Sequence, residues 1–144
     1  MQFNQPLTRV SFYNEFMKWV YLSPHLDDAV LSCGGLIWEQ IRSGGNVEIW
    51  TICAGAPPTG DLSGFAKELH ERWGLGMDAV SKRRMEDQVA CRILGAGHKH
   101  YDIPDAIYRR DPKTGEILYD SFDVILSGIH PGDEMLLKSM IPPM

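Results

Sequence analysis

Trp19-Val20-Tyr21-Leu22-Ser23-Pro24-His25-Leu26-Asp27-Asp28 is the stretch whose reading decides the fold. Its first five residues are a short, mostly apolar run ending at Pro24, the pattern of a buried strand that feeds a turn. From Asp28 to Ser43 the apolar positions Val30, Leu31, Leu36, Ile37 and Ile41 recur at three- and four-residue spacing, and Gly44-Gly45 supplies a stop, so this segment reads as a helix. Val47 to Cys53 is dense in β-branched and aromatic residues and reads as a second strand. Strand, helix and strand in that order make a βαβ unit, whose two strands run parallel.

Working outward, Ala54 to Gly60 is turn chemistry, and Leu62 to Trp73 predicts a helix with Phe65, Leu69 and Trp73 on one face. Asp78 or Ser81 caps a further helix that carries Met85, Val89 and Ile93 at four-residue steps and closes at Gly95. A third strand is expected near His100 to Ile103, then a polar hairpin-like stretch at Asp111 to Gly115. A last helix is expected to start near Gly132-Asp133 and stop at Pro142-Pro143. Alternating strands and helices predict an α/β fold with an open, mostly parallel sheet, whose sites lie beyond the C-terminal ends of the strands.

The chain has 144 residues, 44% hydrophobic and 23% charged, the composition of one globular domain. Its 14 Lys and Arg against 19 Asp and Glu give a net charge of −5, the wrong sign for a chain that covers phosphates, so nucleic acid is not an expected partner. Cys33, Cys53 and Cys91 are odd in number and form no CxxC pair, which fits a reducing cytoplasm. The N-terminus (Met1 to Pro6) lacks a basic stretch followed by an apolar run, and no segment approaches the roughly 18 apolar residues of a membrane span.

His25, Asp27 and Asp28 put one imidazole and two carboxylates within four positions at the first strand-to-helix junction. His25 and Asp28 suit a zinc ion, which accepts imidazole nitrogen and carboxylate oxygen, while Asp27 is left to handle a proton. The plainer reading is that one aspartate caps the helix and His25 is a hydrogen-bonded turn residue. On spacing alone both readings stand.

Ser23-Pro24-His25-Leu26-Asp27-Asp28-Ala29-Val30-Leu31-Ser32-Cys33-Gly34-Gly35 resembles the signature of the N-acetylglucosaminyl-phosphatidylinositol deacetylase-like (PIG-L/LmbE) family, zinc-dependent hydrolases of N-acyl groups on sugars. The family's usual form is His-Pro-Asp-Asp-Glu, so Leu26 stands for the proline and Ala29 for the glutamate. Arg83-Arg84-Met85-Glu86-Asp87 with Leu94-Gly95 resembles the family's Arg-x-x-Glu helix, and Ile103-Pro104-Asp105-Ala106 resembles its Pro-Asp loop. The resemblance spans about residues 18 to 130. It implies a Rossmann-like, LmbE-like sheet incomplete at its C-terminus, with residues 1–144 as the N-terminal part of a single deacetylase-like domain. It further implies that His25 and Asp28 bind Zn2+, that Asp27 is the general base, and that Arg83 and Asp105 line the pocket of a small amino-sugar substrate.

The family's third ligand is a histidine in a Gly-rich His-x-x-His segment, and the chain reaches Met144 without it. The alternative expectation is therefore a catalytically silent α/β module that binds a metal or a partner; a homo-oligomer is also compatible. With an incomplete sheet, residues 1–144 alone are expected to bind zinc weakly, to show no turnover, and to expose Ile125, Leu126, Leu136 and Leu137. Among the remaining histidines, His130 reads as a surface turn residue, His98 and His100 as exposed or partly buried structural residues, and His70 as solvated. Lys82-Arg83-Arg84 reads as a solvated basic face apart from Arg83, and Cys33 as a packing residue.

Overall fold

The computed structural model of the protein describes residues 17–140. The readings at Met1 to Pro6 and at Pro142-Pro143, and the side chain of Leu137, lie outside the described residues. Strand β1 (Lys18–His25), helix α1 (Asp28–Arg42) and strand β2 (Asn46–Cys53) form the expected βαβ unit. Helices α2 (Gly64–Arg72) and α3 (Ala79–Leu94) follow, then strand β3 (Gly97–His100), and the C-terminal portion carries the short helices α4 (Phe122–Leu126) and α5 (Glu134–Met140). The sheet is wholly parallel in the order β1-β2-β3. Its register sets Trp19 against Val47 and His25 against Cys53, so the C-terminal ends of β1 and β2 lie side by side.

Helices α1 and α3 share one face of the sheet. Ala29 and Ile37 from α1, Val47 and Ile49 from β2 and Cys91 from α3 form the buried core there, with Tyr21, Val30, Cys33 and Ile41 packed around them. Cys33 is thus the packing residue expected. On the opposite face Val20 and Leu22 are exposed.

The Met85, Val89 and Ile93 stripe that located α3 is exposed, while Ala79, Asp87 and Cys91 face inward. Asp87 lies two residues beyond Met85, about 200° round a helix of 3.6 residues per turn. One expectation shifts. The third strand lies at Gly97–His100 rather than His100 to Ile103. Gly95, at φ 83°, ends α3 in the left-handed region, and pairing begins two residues later, where Gly97 meets Glu48. A side chain at Gly97 would sit 2.9 Å from Cγ of Glu48. The segment after β3 makes only isolated bridges, Asp102 to Cys53 and Pro104 to Gly55.

A second cluster joins Leu62, Ala66 and Leu69 to Ile107 and Tyr108, with Phe65 and Ile125 at its margin. Helix α2 starts where the Ser63 hydroxyl accepts the Ala66 N–H at 3.0 Å. The hairpin-like stretch at Asp111 to Gly115 forms as expected, bridged by Arg110 and Ile117. Of the residues expected to be exposed, Leu126 is, whereas Ile125 packs against the second cluster and Leu136 is half-buried.

The C-terminal portion is tied back by a buried ion pair. Arg109 donates to Asp133 at 2.7 Å, the Tyr119 hydroxyl donates to the same carboxylate at 2.9 Å, and the His130 N–H donates to Tyr119 at 2.9 Å. Removing one partner of a buried pair leaves the other charge uncompensated, so Asp133→Ala is expected to cost about 3–5 kcal/mol in urea unfolding. A change below about 1 kcal/mol, the scale of an exposed pair, would contradict the assignment.

Candidate active site

β1 ends at His25, and a single turn then reverses the chain into α1. Three tethers shape that turn. The Ser23 hydroxyl donates to the His25 carbonyl at 2.7 Å and accepts the Ala29 N–H at 3.0 Å. Arg83 donates to the Leu26 carbonyl at 3.1 Å, and the Asp27 N–H donates to Asp87 at 3.1 Å. Leu26, which replaces the family's proline, is 4% exposed, so its side chain anchors the turn by burial.

Asp27 is the sole non-glycine with positive φ among the described residues, at 76°. Such a conformation costs on the order of 1–3 kcal/mol and persists only where its surroundings hold it. It turns the two adjacent aspartates to different jobs. Asp28 accepts both the backbone N–H and Nδ1 of His25, at 3.0 and 3.1 Å. Asp27 instead lies 3.9 Å from the Arg83 guanidinium. Its carboxyl is raised above the usual carboxylate range, chiefly by burial; Arg83 opposes the shift, and Asp87, Glu86 and Asp28 reinforce it. Neither aspartate makes a side-chain cap to α1, which disfavours the helix-capping reading.

The other predicted residues converge on the same place. Asp105 Oδ2 lies 3.7 Å from His25 Nε2, and Arg83 spans the turn between Leu26 and Asp27. His25, Asp28, Arg83 and Asp105 line one cleft of about 370 Å³, whose apolar side is built by Leu69, Trp73, Ile107, Phe122 and Ile125. All five predicted site residues therefore meet at the C-terminal end of β1.

The His25–Asp28 pair fits a shared metal ion. It brings an imidazole and a carboxylate, the donor types that zinc accepts, into contact at 3.1 Å. No cluster of three or more His, Cys, Asp or Glu able to hold a metal occurs among the described residues.

Several groups that support the cleft carry no sequence signal. Arg84, read as a solvated base, donates to the Ala54 carbonyl at 2.7 Å and ties α3 to the loop after β2. His70 is buried at 4% exposure rather than solvated. It lies 3.0 Å from the Gly76 carbonyl through Nδ1 and 2.6 Å from the Tyr108 hydroxyl through Nε2. A carbonyl only accepts, so Nδ1 carries the proton and Tyr108 donates to Nε2. Burial, then the nearby Asp105, pushes the Tyr108 phenol up to about 12, keeping it a donor. His70 also stacks on Trp73, over whose ring Arg83 lies at 4.9 Å, so this chain of contacts fixes the cleft wall. His98 is exposed, whereas the His100 imidazole is buried against Asp87 at 2.7 Å.

A parallel sheet with this cluster beyond its first strand is an LmbE-like α/β fold. The model of the PIG-L family, GlcNAc-PI de-N-acetylase, matches residues 20–131, and the chain belongs to that family. The 2'-N-acetylparomamine deacetylase of Niallia circulans is 30% identical over 105 residues, covering 65% of this chain and 38% of that protein. A deacetylase of teicoplanin biosynthesis, solved in complex with teicoplanin, is 40% identical with a TM-score of 0.66, over 71% of this chain and 40% of that one. A zinc-inhibited form of teicoplanin deacetylase matches with the same identity and TM-score, over 38% of its chain. The chain thus spans about two-fifths of the length of these relatives. No described helix is long and apolar enough to cross a membrane.

Proposed function

We propose that the protein is a zinc-dependent hydrolase that removes an N-acetyl or similar N-acyl group from an amino sugar or glycoconjugate. The observation that carries this reading is the division of labour at the β1 turn: His25 and Asp28 stand together on the cleft wall with Arg83 and Asp105, while Asp27, held apart by its left-handed backbone, sets its carboxylate 3.9 Å from the Arg83 guanidinium. Family membership and the deacetylase relatives support it.

His25 and Asp28 would hold the ion, which when bound supplies Lewis-acid polarisation of the amide carbonyl. Asp27 accepts a proton from the attacking water as general base. The C–N bond then breaks, the acyl group leaves as a carboxylate, and the sugar amine takes up the proton. Arg83 and Asp105 offer donors and an acceptor for sugar hydroxyls. The apolar wall of Trp73, Phe122 and Ile125 excludes water and accommodates the ring face or an apolar aglycone.

The test is release of free amine from an N-acetylglucosamine glycoside by the zinc-loaded full-length protein. Release dependent on the protein supports the reading; zinc binding without any release supports the silent metal- or partner-binding module instead.

A further inference from the structure

We infer that Asp87, backed by His100, is a positioning residue that grips the main chain of Asp27 and so sets the direction in which the Asp27 carboxylate points beside Arg83. The inference rests on the reading of Asp27 as general base and adds a pair of residues that contacts neither the cleft nor the donors.

Asp87 stands on the inward face of α3 and is fully buried. Its Oδ1 accepts the Asp27 N–H at 3.1 Å, and its Oδ2 accepts from His100 Nε2 at 2.7 Å and from the Thr51 hydroxyl at 3.5 Å. Elements α3, β2 and β3 thus converge on one carboxylate, and the side chains of Asp87 and His100 are 1% and 3% exposed. The carboxylate accepts, so the proton belongs on His100 Nε2; Nδ1 has no partner among the described residues.

A core position beside Ala79 and Cys91 needs no charge for packing, and buried ion pairs are often replaceable by apolar residues without loss of stability. What this pair supplies that an apolar residue would not is a fixed acceptor aimed at the amide of Asp27, the one non-glycine residue held at positive φ among the described residues. Arg83 holds the preceding carbonyl, that of Leu26, from the other side. The peptide plane between Leu26 and Asp27 is clamped at both its oxygen and its nitrogen, which determines where the following carboxylate points.

The test compares Asp87→Ala with Asp87→Asn in the zinc-loaded full-length protein. Asn retains an oxygen for the Asp27 N–H. Asp87→Ala is expected to lower kcat for the N-acetylglucosaminide by about 10- to 100-fold, the range for loss of a supporting contact, with KM and zinc affinity unchanged; Asp87→Asn restores most of it. Amide hydrogen exchange at Asp27, read by NMR, should be slow in wild type and Asp87→Asn and fast in Asp87→Ala. Wild-type kcat in a folded Asp87→Ala, or failure of Asn to rescue, overturns the inference. Should Asp87→Ala not fold, His100→Gln, which keeps a donor toward Asp87, and His100→Leu, which removes it, carry the same comparison. If the wild type shows no turnover, the proposed function fails, and the exchange measurement alone decides whether the grip exists.

Discussion

His25→Ala and Asp28→Ala are each expected to weaken zinc binding by more than the roughly 10–100-fold that loss of an outer-shell partner costs, because each deletes a direct donor. The two substitutions act through different local chemistry. His25→Ala removes the imidazole but leaves its backbone N–H on Asp28 at 3.0 Å, so the turn is retained. Asp28→Ala removes the donor and the acceptor of that N–H together, so it should also loosen the start of α1. Asp28→Asn, which keeps an oxygen in place, separates the two effects: it should restore the turn while leaving zinc binding weakened. Calorimetric titration of zinc into each variant checks this. An unchanged Kd in both alanine variants would remove the pair from the metal site.

In the complete protein, Asp27→Asn is expected to reduce deacetylation by a factor on the order of 10² or more while zinc content stays at the wild-type level, as loss of a general base requires. The substitution is structurally mild for a specific reason. Asparagine is among the few residues that enter the left-handed region readily, and its backbone N–H still reaches Asp87, so the turn survives. What is lost is the proton acceptor and the charge facing Arg83. Steady-state amine release alongside elemental analysis is the measurement, and equal turnover in mutant and wild type would take Asp27 out of the mechanism.

The βαβ unit was legible because its signals are local: a short apolar run before, and a β-branched and aromatic run after, a helix closed by Gly44-Gly45. The five candidate residues carry short motifs, and the structure brings them together at the end of β1, where Arg83 and Asp87 hold the turn from α3. The inward face of α3 was not legible, since Met85, Val89 and Ile93 carry the stronger apolar pattern while the packing face presents Ala79, Asp87 and Cys91. A buried aspartate looks like a surface residue in sequence until its partners are known, and Asp87 takes its partners from β2, β3 and the β1 turn. His70 was misread for the same reason: it sits in a polar helix, and its burial comes from Tyr108, 38 residues on. The cleft's apolar wall draws Trp73, Phe122 and Ile125 from separate elements that no spacing rule connects.

The central claim is that the end of β1 is a metal-dependent site for hydrolysing an N-acyl bond. Its most direct measurement is amine release from an N-acetylglucosamine glycoside before chelation, after stripping with a chelator, and after zinc is returned. In the full-length protein, turnover is expected to fall to background on stripping and to recover with zinc. Turnover that persists in fully stripped protein would contradict it.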